Sequence, residues 1–135
     1  MQFMLLMIPA DYETAAPGTM PDADAVAAMM KYNEELQAAG VLQSLNGLHP
    51  PSAGVRVSFA GGRPLVTEGP FTQTTETLGG YWLIDVESRD AAIDWAKRCP
   101  AADNEVIEIR QIYEMDDFPP DVQKAAAGFD TLQNQ

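Results

Sequence analysis

Residues 81–113 read YWLIDVESRDAAIDWAKRCPAADNEVIEIRQIY. Tyr81 to Val86 is a run of aromatic, β-branched and leucine side chains, the composition of a strand. Ser88 then stands as an N-cap ahead of Ala92, Trp95, Ala96 and Cys99. Their i, i+3, i+4, i+7 spacing gives a helix one apolar face, and Pro100 stops it. From Glu105 to Tyr113 the period changes to two, with Ile107 and Ile109 on one face and Glu108 and Arg110 on the other. This is a β-α-β unit.

The start of the chain repeats the order. Gln2 to Ile8 is apolar without helical spacing and ends at Pro9, as a buried strand does. Residues 9–21 read as a loop. Asp22 or Asp24 caps a helix that places Val26, Met29, Met30 and Leu36 near one face and stops at Gly40. Val41 to Leu45 follows as a strand. Between the two units, Val55, Val57 and Phe59 alternate before a Gly61-Gly62 turn and Leu65-Val66, which predicts a hairpin. Pro119 and Pro120 open a short terminal helix reaching to Gly128.

The expected fold is therefore α+β, a ferredoxin-like split βαβ with an inserted β-hairpin. Residues 1–115 form the domain and residues 116–135 a tail. Both helices cover one sheet face. The other has only the tail to cover it, although the strands Gln2 to Ile8 and Tyr81 to Val86 are apolar at almost every position, so a second copy of the chain is the expected cover.

Eight Lys and Arg stand against 20 Asp and Glu, a net charge of -12, which argues against nucleic acid and anionic membrane as partners. Hydrophobic residues make up 46% and charged residues 21%, a globular composition. Cys99 is the single cysteine, which excludes an intrachain disulfide and a multi-cysteine metal cage. The apolar run Phe3 to Ile8 falls short of the roughly 20 residues a membrane span needs. No Lys or Arg precedes Lys31, so the charged start of a secretory signal is missing and the expected location is the cytoplasm.

Glu68-Gly69-Pro70-Phe71, followed by Thr74, Glu76, Gly79-Gly80 and Tyr81, resembles the DGPF branch of the YCII-related domain family, whose pattern reads roughly DGPFxExKExxGGY. Further agreement lies in the opening FMLLM, in LQAAGVL at 36–42, in the LxP of Leu48 to Pro50, in VRV at 55–57 and in IEIR at 107–110. The likeness covers about residues 2–113 and implies a ferredoxin-like subunit that forms a dimeric α+β barrel. It also implies a regulatory alternative, because members of this branch are often encoded beside extracytoplasmic-function sigma factors. Three positions depart from the pattern: Glu68 replaces Asp, Gln73 a frequent Glu, and Thr75 a frequent Lys, so an ion pair in that loop is expected to be lost. In the wider family a histidine on the first helix is taken as an acid/base group. The matching position here is close to Met29, which leaves that chemistry without a carrier.

Glu68, on a rigid Gly-Pro turn, and Glu76 are the candidate acid/base groups, and the competing reading of Glu68 is a structural acid that bonds the backbone amides after Gly69. Arg56, Gly69, Pro70, Phe71, Glu108 and Arg110 are the candidate substrate-binding residues. Glu108 and Arg110 point away from the helices, where they orient a polar small molecule or pair with each other. Pro70 and Phe71 have the alternative of anchoring the loop. His49, between Leu48 and Pro50, reads as a surface-loop histidine without a metal-binding neighbour. No cofactor or metal is expected. Two function classes stand: a homodimer that binds, and acts on, a small polar molecule, and a non-catalytic accessory protein.

Overall fold

The computed structural model describes residues 1–18, 20–71 and 76–133. Gln73, Thr74 and Thr75 of the motif lie outside the described residues. Among the described residues, six strands and four α-helices follow in the order β1 (Gln2–Ile8), α1 (Ala23–Ala38), β2 (Leu42–Gly47), β3 (Val55–Ala60), β4 (Arg63–Glu68), β5 (Gly80–Asp85), α2 (Arg89–Lys97), β6 (Val106–Gln111), α3 (Pro120–Ala125) and α4 (Phe129–Gln133). The main sheet has four strands in the order β2-β5-β1-β6, and each neighbouring pair is antiparallel. That order, with the two helices as crossovers, is the ferredoxin-like arrangement.

The helices begin where the sequence supplies caps. The Asp22 carboxylate accepts from the Ala25 N–H at 3.2 Å, and the Ser88 hydroxyl oxygen accepts from the Ala91 N–H at 3.1 Å. Gly40, with φ 74°, takes the left-handed conformation just beyond α1. The buried stripe of α1 differs from the expected one: Tyr32 and Leu36 are buried with Met29 packed beside them, while Val26 and Met30 are exposed. Positions 29, 32 and 36 share one face, and 26 and 30 both fall to one side of it.

Period two on β1 turns Phe3, Leu5 and Met7 into the core with Trp82 and Ile84 of β5 and Ala92 of α2. Full burial of side chains such as Leu36 and Ile84 contributes about 1.5–3 kcal/mol each. Tyr32 ties the two helices together, its hydroxyl donating to the Trp95 carbonyl at 2.7 Å, and its ring meets Trp82 edge to face at 5.6 Å.

The opposite sheet face carries Met4, Leu6 and Ile8, all half-buried. Register places Met4 beside Leu83 and Arg110, Leu6 beside Tyr81 and Glu108, and Ile8 beside Val106. Asn46 and Ser44 of β2 lie opposite Tyr81 and Leu83 and extend this face to the other edge. Its centre is apolar and its two edges are polar.

β3 and β4 form a separate two-stranded sheet in which every residue is exposed. Gly61 and Gly62 both have positive φ, the geometry of a tight hairpin turn. Register gathers Val55, Val57, Phe59, Pro64 and Val66 with Glu68 on one side, and Arg56, Ser58, Ala60, Arg63, Leu65 and Thr67 on the other. Beyond β6, Tyr113 stacks on Phe118 at 4.8 Å. The tail holds two short helices in place of the single expected one, α3 and α4 being separated at Gly128, where φ is 93°. Among the described residues no helix is long and apolar enough to cross a membrane.

Burial pushes the Cys99 thiol up to about 11, with Glu105 adding to the rise. The Tyr32 phenol is also raised, by burial first and then by Cys99 and Glu35, against an opposing pull from Arg98. Both groups are neutral when protonated, so a raised folded-state value stabilises the fold below the unfolded-state value and is lost as pH climbs through the folded one. The urea midpoint is expected to hold up to about pH 9 and to fall between about pH 9 and 11. At pH 8 iodoacetamide should modify Cys99 at least about 100-fold more slowly in the native chain than in urea. A flat midpoint through pH 11, or equal alkylation rates, would contradict this.

Candidate functional site

The EGPF segment is a turn packed into the base of the hairpin. Glu68 ends β4 opposite Val55, with its side chain in solvent. The Gly69 N–H donates to the Gly54 carbonyl at 2.8 Å. A Cβ at Gly69 would lie 1.8 Å from the Pro51 carbonyl oxygen, so only glycine lets the two backbone segments approach this closely. The Gly69-Pro70 peptide bond is cis. The Arg56 guanidinium lies over the Phe71 ring, 4.1 Å from its centroid, a cation–π contact. Pro70 and Phe71 also wall a recess of about 510 Å³ that Glu13, Thr14 and Ser52 share, and the Ser52 hydroxyl donates to the Ala15 carbonyl at 2.8 Å.

The sequence-derived candidates thus fall into two groups. Arg56, Gly69, Pro70 and Phe71 meet at the hairpin base, with Glu68 beside them in the chain. Glu108 and Arg110 sit on the helix-free face of β6, 3.8 Å apart and largely solvent-exposed, where such a pair contributes little stability. Glu76 is exposed in the segment before β5.

A further concavity joins residues that are far apart in the sequence. Two recesses, of about 550 and 200 Å³, share Gly47 and Gly79 at one end of the main sheet. The larger is lined by Pro9, Tyr12, Met20, Leu48, His49 and Pro50, and the smaller by Met7, Met29, Asn33, Asn46, Tyr81 and Trp82. Close backbone approach shapes both. A Cβ at Gly79 would lie 2.4 Å from Pro9 Cγ, and one at Gly80 would lie 2.8 Å from the Asn46 carbonyl oxygen. The Leu48 N–H donates to the Gly79 carbonyl and the Gly79 N–H to the Met7 carbonyl, both at 2.8 Å. Tyr12 donates its hydroxyl to the Leu48 carbonyl, and burial raises its phenol above the usual value.

Beside the smaller recess, Trp82 Nε1 donates to Asn33 Oδ1 at 2.7 Å on the helix-covered side of the sheet, and Asn46 Nδ2 donates to the Tyr81 oxygen at 2.9 Å on the helix-free side. Sequence reasoning passed over Asn33 and Asn46. The available signal was Asn33 on the same helix face as Met29 and Leu36, together with the Gly79-Gly80 pair. Among the described residues no group of His, Cys, Asp and Glu side chains could hold a metal ion.

The model of the YCII-related domain family matches residues 1–116. An uncharacterized protein of Rhizobium meliloti (strain 1021) is 38% identical over 74 residues, 55% of this chain and 56% of that protein, so the match spans about half of each. The family match extends over both β-α-β units, the hairpin and the EGPF turn. The chain belongs to the YCII-related domain family.

Proposed function

We propose that the protein is a DGPF-type member of its family that forms a homodimer through the helix-free sheet faces and binds a small polar molecule in the cleft between them. The observation that carries this reading is the composition of that face, where half-buried Met4, Leu6, Ile8 and Leu83 are flanked by Asn46 on one edge and Glu108 and Arg110 on the other. An apolar centre favours association, and a charged rim can orient a ligand. Arg56, Glu68 and the Gly69-Pro70-Phe71 turn border the cleft from the hairpin base, and Glu76 borders it from the loop before β5. Glu68 and Glu76 are the groups that move a proton, if the bound molecule reacts. Two such subunits form a dimeric α+β barrel. Residues 1–115 are the functional unit, residues 116–135 an appended tail, and the protein acts in the cytoplasm.

A thermal-shift screen of small carboxylates, amides and polyols tests this. At least one compound is expected to raise the melting midpoint by more than about 2 °C. Arg110→Gln and Glu68→Gln should each abolish that rise while leaving the sedimentation behaviour unchanged. The absence of any shift from an intact dimer, or loss of the dimer in Glu68→Gln, would contradict the reading.

The exposed apolar side of the hairpin, Val55, Val57, Phe59 and Val66, favours a second reading as an accessory protein for sigma-factor regulation. In that case the hairpin is a contact for another protein and the thermal screen stays silent.

A further inference from the structure

We propose that the joined recess at the Gly47 and Gly79 end of the main sheet is a separate binding site, for an uncharged planar aromatic molecule that carries a carbonyl acceptor. The larger part, about 550 Å³, lies within the roughly 300–1,000 Å³ of small-molecule sites, and the smaller, about 200 Å³, adjoins it at Gly47 and Gly79. None of the described residues that line it is Asp, Glu, Lys or Arg, in a chain with 8 basic and 20 acidic residues. Apart from His49 in the larger part, no lining side chain could supply a counter-charge to an ionised ligand that has left water, so the lining favours a neutral one. The aromatic rings of Tyr12 and Trp82 and the thioethers of Met7, Met20 and Met29 are among the lining side chains. Rings and flexible sulfurs both pack well on an aromatic face.

Asn33 sets the polarity. Its Oδ1 is already engaged by Trp82 Nε1 at 2.7 Å, which fixes the amide and leaves the NH₂ group as the donor side. That NH₂ makes only a long contact, 3.6 Å, to the Met30 sulfur. A weak sulfur acceptor is readily exchanged for a carbonyl oxygen. The recess therefore offers one side-chain donor, the Asn33 NH₂, to an otherwise apolar guest. It uses none of the charged residues of the proposed cleft, so a result here bears on this site alone.

Titration of the ¹⁵N-labelled full chain with acetophenone, benzoate and ethylbenzene tests the proposal. Acetophenone has the ring and the carbonyl; benzoate adds a charge and ethylbenzene lacks the acceptor. The Trp82 indole and Asn33 side-chain amide resonances are expected to move with acetophenone, with a Kd on the order of 1 mM for a ligand of this size. Benzoate and ethylbenzene should bind at least about 10-fold more weakly, as expected when a charge is buried or a hydrogen bond is lost. Asn33→Asp keeps an oxygen for Trp82 and removes the donor, and it should weaken acetophenone by at least about 10-fold with the remaining spectrum unchanged. Should that variant disturb the fold, the comparison of the three probes on the parent chain decides alone. Benzoate binding as tightly as acetophenone, shifts confined to other regions, or no shift at about 10 mM would overturn the proposal.

Discussion

Gly69→Ala is expected to destabilise the protein by about 3 kcal/mol or more, lowering the melting midpoint by roughly 10 °C. The new Cβ would stand 1.8 Å from the Pro51 oxygen, 2.8 Å from the Pro51 carbonyl carbon and 3.2 Å from the Gly54 oxygen. All three are backbone atoms, so no side chain can swing aside. Relief requires the hairpin base to open, which breaks the 2.8 Å hydrogen bond from the Gly69 N–H to Gly54 and draws Phe71 away from Arg56. Gly47→Ala provides the comparison, because a Cβ there would meet nothing closer than 4.0 Å, and it should change stability by less than about 1 kcal/mol. Equal midpoints for Gly69→Ala and the parent would show that the motif glycine is not required by packing.

The second large effect concerns association. Leu6→Glu places a second carboxylate at the centre of the helix-free face, between Tyr81 and Glu108 in register. A charge buried in a dimer interface without a dedicated partner costs several kcal/mol, so the dimer should weaken by about 1,000-fold. The subunit itself should stay folded, because Leu6 points away from the core formed by Phe3, Leu5, Met7, Leu36 and Ile84. Far-ultraviolet circular dichroism should therefore match the parent while the sedimenting mass falls to that of one chain. A variant that sediments as the parent does would place the interface elsewhere.

Much of the architecture was legible because local signals agree with the tertiary arrangement. The alternation of Ile107 and Ile109 with Glu108 and Arg110 predicts their faces, and register places both charged residues opposite Leu6 and Met4, away from the helices. Asp22 and Ser88 mark the helix starts by the chemistry of unsatisfied N–H groups. The two glycines at 61 and 62 announce a turn that only positive φ can close.

The rest depends on approaches between distant residues. The recess at the sheet end assembles Pro9, Asn33, Asn46 and Gly79 from four separate segments, and no local spacing reveals that they meet. Gly69 is demanded by Pro51, eighteen positions away along the chain, so its steric role could not be read from the motif itself. On α1, Val26 and Met30 belong to the apolar inventory yet face solvent, because the contact stripe follows Met29, Tyr32 and Leu36. The hairpin was legible as a hairpin, but the exposure of every one of its residues was not, since alternation reports two faces without saying what covers either.

Sedimentation equilibrium of the unaltered chain at low micromolar concentration tests the central claim most directly, namely that two helix-free faces meet. The account predicts a species of twice the 14.7 kDa chain mass. A single species at 14.7 kDa across that concentration range would contradict it.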